Sequence, residues 1–226
     1  MADIAWPDDL VPYRVAFHLQ PHVGGQESPV TRTRKTYGLS APRWLARLTF
    51  RGGYGGEVRR GEQGGYGARL DSLIADLHGG LNIAVFHDWR RPKPVGPVDR
   101  ATALRSAGAP KGATSMIVTG FAPGGRALGI GDYIGGDGRP HLVSMAATLA
   151  AGGAFAGAGT ILADATGAAL VGFNPPLSAD IPANTVLTWP VTGRFELMNE
   201  DAGQNETEVG SLSEYALDFV EKLGAA

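Results

Sequence analysis

Apolar residues in the second half of the chain come in short runs separated by turn-forming residues. Between Gly129 and Asn199 these runs are Tyr133–Ile134, His141–Met145, Ala168–Phe173, Thr185–Trp189 and Phe195–Leu197. Glycine, proline, asparagine and aspartate fill the intervals between them. Short strands interrupted by such residues at close spacing are typical of a compact antiparallel β module. We therefore predict that residues 112–200 form a compact antiparallel β unit.

The N-terminal part of the chain alternates apolar and polar residues in several short segments. This alternation predicts strands over four ranges, which are Tyr13–Gln20, Ser28–Tyr37, Arg43–Phe50 and Leu81–Trp89. Pro21 is expected to end the first strand, because proline cannot donate a hydrogen bond to a ladder. The clearest pattern is that of the third segment, where one face holds Trp44, Ala46, Leu48 and Phe50.

One segment of the N-terminal part has helical periodicity instead. Its apolar residues recur at positions i, i+3, i+4 and i+7, and they are Leu70, Leu73, Ile74 and Leu77. This spacing predicts a helix over Arg69–His78, which the glycines at 79 and 80 would end. A helix between strands indicates that residues 1–95 form an α+β unit or a barrel with a helix lying on it. The proline-rich stretch Arg90–Pro97 places the junction with the second unit between residues 90 and 112.

Three segments give less definite patterns. Ser211–Leu223 fits a helical face and strand alternation equally well. Gly52–Gly67 is dominated by glycine, and we interpret it as a loop that is mobile or ordered by a partner. Ala146–Ala158 is rich in alanine and glycine, which predicts a loop or a loose pair of strands.

The composition excludes several classes of protein. The chain has 226 residues and is 43% hydrophobic, so it can bury a sizeable core. Its net charge of −2 gives no reason to expect specific nucleic-acid binding. Cysteine is absent, which excludes disulfides and thiolate metal sites. Residues 1–25 lack the pattern of a signal peptide, and no apolar run is long enough to insert into a membrane, so we expect neither.

The charges are distributed unevenly along the chain. Residues 1–100 carry 14 Lys and Arg against 10 Asp and Glu, whereas residues 101–226 carry 6 against 12. Eight of these acids lie between Glu196 and Glu221. The two parts could attract each other within one subunit or between neighbouring subunits, or they could simply be two solvated surfaces.

No group of residues has the spacing that an enzyme or a metal site requires. His18 and His22 are separated by Pro21 in a strand pattern, and His87–Asp88 would point to opposite faces of a strand. We therefore predict a protein that is not an enzyme, with no catalytic residues, no cofactor and no metal. A different possibility is a carbohydrate-binding module in which Trp189 or Tyr133 forms a stacking platform.

Several short motifs resemble those of a known family. The second half carries G-D-Y-I, H-L-V, A-D-A-T-G-A-A-L-V, P-P-L, V-L-T-W and F-E-L in order. The first half carries a W-P arm at Trp6–Pro7, S-P-V at Ser28–Val30, Y-G-L-S-A-P-R-W at Tyr37–Trp44, and an aromatic-D-x-R-R-P pattern at Phe86–Pro92. Together these motifs resemble the distal-tail or tail-tip ring proteins of long-tailed bacteriophages and of phage-like particles such as gene transfer agents.

This resemblance implies a structural protein of the virion tail, assembled in the host cytoplasm. Its subunits would form a homomeric ring, a hexamer or alternatively a trimer, between the tail tube and the hub or receptor-binding proteins. It also implies a mainly β fold with two units. The first is a partly open, belt-like barrel over residues 1–95 that is completed by a strand from residues 211–223, and the second is an antiparallel β-sandwich-like unit over residues 112–200. The residues that we predict at subunit or partner contacts are Trp6, Arg32, Arg34, Lys35, Tyr54, Arg59, Arg60 and Tyr66.

Overall fold

The computed structural model describes residues 1–53, 66–157, 159–199, 201–204 and 212–223. Among the described residues, far more lie in strands than in helices, and two curled sheets form half-barrels. The prediction of a mainly β fold is therefore confirmed. The contacts divide the chain into two compact units: unit 1 is Met1–Trp89 with Arg194–Lys222, and unit 2 contains Arg90–Gly193. None of the helices in the described residues is both long and apolar enough to cross a bilayer.

The elements follow one another in this order: β1 Asp3–Ala5, β2 Arg14–Glu27, β3 Arg34–Gly53, α1 Tyr66–Leu77, a 3-10 turn at His78–Gly80, β4 Ile83–His87, β5 Arg100–Ser106, β6 Ser115–Phe121, β7 Arg126–Gly129, β8 Tyr133–Ile134, β9 His141–Val143, α2 Met145–Ala150, β10 Phe155–Ala156, β11 Thr160–Leu162, β12 Ala168–Asn174, β13 Thr192–Leu197 and β14 Leu212–Glu221. The helix predicted over Arg69–His78 is present as α1. The ambiguous segment near the C-terminus is a strand, as the resemblance implied.

Unit 1 is built on a six-stranded sheet with the order β1-β4-β13-β14-β3-β2. Strand β14, late in the sequence, lies between β13 and the early strand β3, so strands from both ends of the sequence belong to one sheet. Aromatic side chains from several of its strands pack together in the core. Those that are fully buried include Phe50, Phe86, Phe195, Tyr215 and Phe219. Helix α1 contributes the buried Leu70, Leu73 and Leu77 from one of its faces.

Two strand predictions in unit 1 are wrong in their extent. Pro21 does not end β2, which continues to Glu27. The proline is accommodated because the register of β2 against β3 shifts between Gln20 and His22, so the ladder is already interrupted there. Ser28–Tyr37 is not one strand, since residues 28–33 form a turn closed by a 3.0 Å hydrogen bond from Ser28 N to Thr33 O. Strand β3 begins only at Arg34.

Unit 2 contains a five-stranded sheet, β5-β6-β12-β9-β8, and a three-stranded sheet, β10-β11-β7. Apolar residues of both sheets share one core, which includes Val118, Leu128, Ile161, Val171 and Phe173. Unit 2 is therefore the compact, mainly antiparallel β unit that the residue pattern predicts, with two sheets around one core.

Three expectations for unit 2 are corrected by the structure. Thr185–Trp189 is not a regular strand, because only an isolated bridge joins Val186 to Arg105. Phe195–Leu197 does form a strand, but it belongs to the sheet of unit 1. Within Ala146–Ala158, the structure has the short helix α2 followed by the short strand β10.

Helix α2 lies directly on strand β12. Ser144 caps it by accepting a hydrogen bond from Ala147 N, and the buried Thr148 accepts one from Gly172 N at 2.9 Å. A Cβ atom added to Gly172 would overlap the backbone of Ala147 and Thr148. Glycine at this position therefore permits the helix to approach the sheet.

Candidate interaction surface: the hairpin arm

Strands β2 and β3 extend beyond the sheet of unit 1 as a two-stranded ribbon. The pairing of β3 with β14 ends at Leu45, whereas its pairing with β2 continues to Arg34 opposite Glu27. We call residues 21–42 the hairpin arm. At about 3.3 Å per residue, the seven steps from Gln20 to Glu27 span about 23 Å. In the described part of the chain, no third strand pairs with this ribbon.

Both faces of the hairpin arm are accessible to solvent. From Pro21 to Ala41, Gly24 and Ser28 are half-buried and the other residues are exposed. Four of the exposed residues are large and apolar: Val23 at 57%, Val30 at 89%, Tyr37 at 54% and Leu39 at 54%. An isolated two-stranded hairpin is at best marginally stable in water, and apolar side chains on it gain nothing until a second surface covers them. The arm therefore has the character of a surface that is completed by a partner.

Two glycines shape the surface of the hairpin arm. Gly24 lies directly opposite Tyr37, and a Cβ atom at Gly24 would come within 2.6 Å of the Tyr37 ring. A Cβ atom at Gly25 would come within 2.8 Å of the Arg34 side chain. The absence of side chains at both positions lets the ring and the guanidinium group lie flat across the ribbon. An aromatic ring and an arginine held in this way are typical of protein interfaces.

Three of the predicted contact residues come together on the arm. Arg32 lies in the turn with a φ of 53°, and Arg34 and Lys35 begin β3. All three are exposed, and no carboxylate of the described residues forms a salt bridge with them. Glu27 is the only acidic residue of the arm. The arm therefore presents positive charge together with apolar surface.

The other predicted contact residues do not lie on the arm. Trp6 is 8% exposed, stacks on Phe50 with ring centroids 5.7 Å apart, and donates from Nε1 to Leu10 O at 2.7 Å. Tyr66 is half-buried and donates from its hydroxyl to Val11 O at 2.7 Å. Burial raises the pKa of this phenol. Tyr54, Arg59 and Arg60 lie outside the described residues.

The uneven charge distribution is partly explained inside unit 1. Arg47 and Asp218 are cross-strand partners on β3 and β14 with 3.5 Å between their charged groups, and Arg51 and Glu214 form a second such pair at 3.7 Å. Acidic residues near the C-terminus thus meet basic residues from the N-terminal part within one subunit. The cations of the hairpin arm have no such partner among the described residues.

One cluster in unit 2 contains the residue types of a hydrolytic triad but not its geometry. Asp137 lies between His141 and Ser178, accepting from the Ser178 hydroxyl at 2.9 Å and lying 2.8 Å from His141 Nε2. In a triad, the histidine lies between the other two. The side chains of Asp137 and His141 have no exposed surface, so no substrate can reach them. Among the described residues, no group of three or more His, Asp or Glu side chains could hold a metal.

The two side chains considered as a sugar platform are both engaged within unit 2. Tyr133 is 4% exposed, and Arg91 donates to its hydroxyl at 3.0 Å. Trp189 donates from Nε1 to Tyr133 O at 2.8 Å, and the guanidinium group of Arg100 lies 5.1 Å from the centroid of its ring. Tyr133 is thus too buried to stack with a sugar, and Arg100 lies over the ring of Trp189.

Compared with models of known protein families and with curated proteins, the sequence matches no family model and no curated protein. The resemblance to phage tail proteins therefore depends on the short motifs described above.

Proposed function

We propose that the chain is a structural subunit that assembles with further copies of itself through the hairpin arm. Taken with the sequence motifs, this makes it a distal-tail or tail-tip ring protein of a phage tail, which joins the tail tube to the hub or receptor-binding components. The observation that carries the proposal is the arm itself: about 23 Å of paired strand with exposed apolar residues and no covering surface in the described chain.

Charge favours a second copy of the chain as the occupant of this surface. The arm holds three cations and one carboxylate, a charge of +2, and the whole chain has a charge of −2, so the remainder carries −4. Two arms would repel each other in a twofold contact, because they carry the same charge. An arm that docks on the acidic remainder of the next copy makes a head-to-tail contact instead, and such contacts form a ring when the rotation between successive copies closes.

The shape of the arm also favours assembly. β2 is an edge strand of the six-stranded sheet, so its outer backbone groups are available for pairing with another chain. A paired ribbon can add strands or side-chain contacts to a neighbour without changing its own fold. A hexameric ring, with a trimer as the alternative, is the assembly that the resemblance implies.

The test compares the mass of the whole protein with that of a variant lacking the arm. In the variant, a short Gly/Asn turn joins Gln20 to Arg43, which are already cross-strand partners. We expect light scattering to show an oligomer for the wild type and a monomer for the variant, and electron microscopy to show rings only for the wild type. Equal thermal unfolding of both proteins would show that the variant is folded. A monomeric wild type, or an oligomer that survives removal of the arm, would overturn the proposal.

A further inference from the structure

An open cleft of about 500 Å³ lies in unit 2 between strand β5 and the segment before β13. Its floor includes Leu104 and Leu187, which are buried, and its rim includes Lys93, Arg100, Thr188 and Trp189. This volume is within the range of small-molecule sites, which are mostly apolar with a few converging polar groups. The cleft lies within one unit, so it is independent of the hairpin arm.

The described residues that line the cleft give it a positive charge. Lys93 and Arg100 line it, and none of the other lining residues is acidic. The adjacent Asp99 does not compensate, because its carboxylate binds Arg126 at 3.0 and 3.2 Å, and these hydrogen bonds lower the pKa of Asp99. Among the described residues, neither Lys93 nor Arg100 forms a salt bridge.

Arg100 is held in position before any ligand arrives. Its guanidinium group lies over the Trp189 ring, and that ring is fixed by the hydrogen bond from Nε1 to Tyr133 O. A guanidinium group stacked on an aromatic ring keeps the N–H groups at its edge free for a planar or tetrahedral anion. Because the side chain is already ordered, binding an anion costs less conformational entropy than it would at a flexible arginine.

We propose that this cleft binds a phosphorylated sugar or polyol. Two cations match the charge of a phosphate monoester, with bidentate contacts from Arg100 and a point charge from Lys93. A bare phosphate would leave most of the volume empty. The attached carbon skeleton would lie against Leu104 and Leu187, with the Thr188 hydroxyl available to a sugar hydroxyl.

The experiment is isothermal titration of the whole protein at low ionic strength with glucose 6-phosphate, glycerol 3-phosphate, glycerophosphoglycerol, inorganic phosphate and glucose. We expect the first two ligands to bind and glucose not to bind. R100Q and K93Q should each weaken binding by about 10- to 100-fold, because each removes a charged hydrogen-bond donor. K111Q, which changes an exposed lysine of unit 2 outside the cleft, should not change it.

The diester distinguishes two sources of the ligand. Glycerophosphoglycerol binding as tightly as glycerol 3-phosphate would support a repeating unit of a surface polymer, and weaker binding would support a free monoester. Equal binding of inorganic phosphate would mean an anion site only and would overturn the proposal, as would no binding or no effect of R100Q and K93Q. The variant without the hairpin arm should bind as the wild type does, so a failed assembly experiment leaves this test unaffected.

Discussion

The Nε2 atom of His141 lies 2.8 Å from a carboxylate oxygen of Asp137, and neither side chain has any exposed surface. On the other side of the ring, Nδ1 lies 2.7 Å from Pro175 O. Both ring nitrogens thus face acceptors, and both hydrogen bonds are made when the ring carries two protons. The second oxygen of Asp137 accepts from Ser178 N and Oγ. This buried network joins the turn before β9 to the segment after β12.

Removing the Asp137 carboxylate should destabilise the protein strongly. D137A would leave His141 and the backbone N–H of Ser178 without their acceptor in a buried site, at a cost of about 3–5 kcal/mol in the free energy of unfolding. D137N should cost less, because its amide can accept from Ser178 and donate to a neutral His141. Urea unfolding of the three proteins at pH 7 measures both differences. Equal stability of D137A and the wild type would contradict this account of the network.

The contribution of the Asp137 carboxylate to the stability of the protein should decrease at acidic pH. Burial by itself raises the pKa of Asp137, but the hydrogen bonds from His141 and Ser178 outweigh it and place the pKa below its ordinary value of 3.8. A carboxyl group with a lowered folded pKa stabilises the protein above pH 3.8, and this contribution is lost as the pH falls through the folded value. The stability difference between the wild type and D137N should therefore narrow below about pH 4. A difference that stays constant from pH 7 to pH 3 would show that the network does not depend on the ionised carboxylate.

A Cβ atom at Gly172 should be poorly tolerated. Its position overlaps the backbone of helix α2 at Ala147 and Thr148, so G172A must push the helix away from β12 and break the hydrogen bond between Gly172 N and Thr148 Oγ1. We expect a loss of about 3 kcal/mol or more in the free energy of unfolding, measured by urea denaturation. G96A is the matched control, since a Cβ atom at Gly96 of the same unit meets no atom within 4 Å. It should change stability by less than about 0.5 kcal/mol.

The cross-strand pair Arg47–Asp218 allows a charge exchange. R47E would place two carboxylates opposite each other on β3 and β14, and D218R would do the same with two cations. Both groups are largely exposed, so each single change should cost only up to about 1 kcal/mol, and less at high salt. The double variant should recover most of this loss. A double-mutant cycle by thermal unfolding checks it, and strictly additive effects would show that the two charges do not interact.

The sequence predicted those parts of the fold in which local pattern and burial agree. In β3, Trp44, Ala46, Leu48 and Phe50 alternate, and all four are buried on one face. The helix α1 was equally clear, because its leucines recur at helical spacing and fill the core. In both segments, the spacing of the apolar residues alone shows which face is buried.

The remaining elements depend on contacts that local pattern does not reveal. Phe195–Leu197 looks like a continuation of unit 2, but it pairs with β14 in unit 1, and only the distant strand decides this. Ala146–Ala158 has weak periodicity, and its helix is fixed by the Ser144 cap and by the space at Gly172. The sequence does not predict the hairpin arm, because Pro21 favours the end of a strand, whereas the shift in register lets the ribbon continue past this proline.

The candidate surface was predicted in part, through its charges. Arg32, Arg34 and Lys35 are predicted contact residues, and they lie together on the arm. The apolar residues Val23, Tyr37 and Leu39 are not predicted contact residues, because nothing in the sequence alone shows that they are exposed on a two-stranded ribbon. The exposure of these three side chains depends on the pairing of distant strands, because β14 stops pairing with β3 at Leu45 and leaves the arm uncovered.

If the hairpin arm mediates assembly, its apolar residues should control association without affecting folding. Y37S and L39S each remove an exposed side chain of the arm, and we expect each to raise the dissociation constant of the oligomer by about tenfold or more. The effect of Y37S should be the larger one, because a few central residues dominate most interfaces and tyrosine is enriched among them. Sedimentation velocity over a range of protein concentrations measures this change. The free energy of unfolding of the subunit should change by less than about 0.5 kcal/mol, since neither side chain is buried in unit 1.

A matched control separates the arm from exposed apolar surface in general. Leu81 is 68% exposed and lies in unit 1 outside the arm, so L81S removes a similar apolar area without touching the proposed interface. Its oligomer should have the dissociation constant of the wild type. If L81S weakened assembly as much as Y37S and L39S, association would reflect general surface hydrophobicity, and the hairpin arm would lose its special role. If only the two arm variants dissociate more readily than the wild type, the hairpin arm is the surface through which neighbouring subunits bind each other.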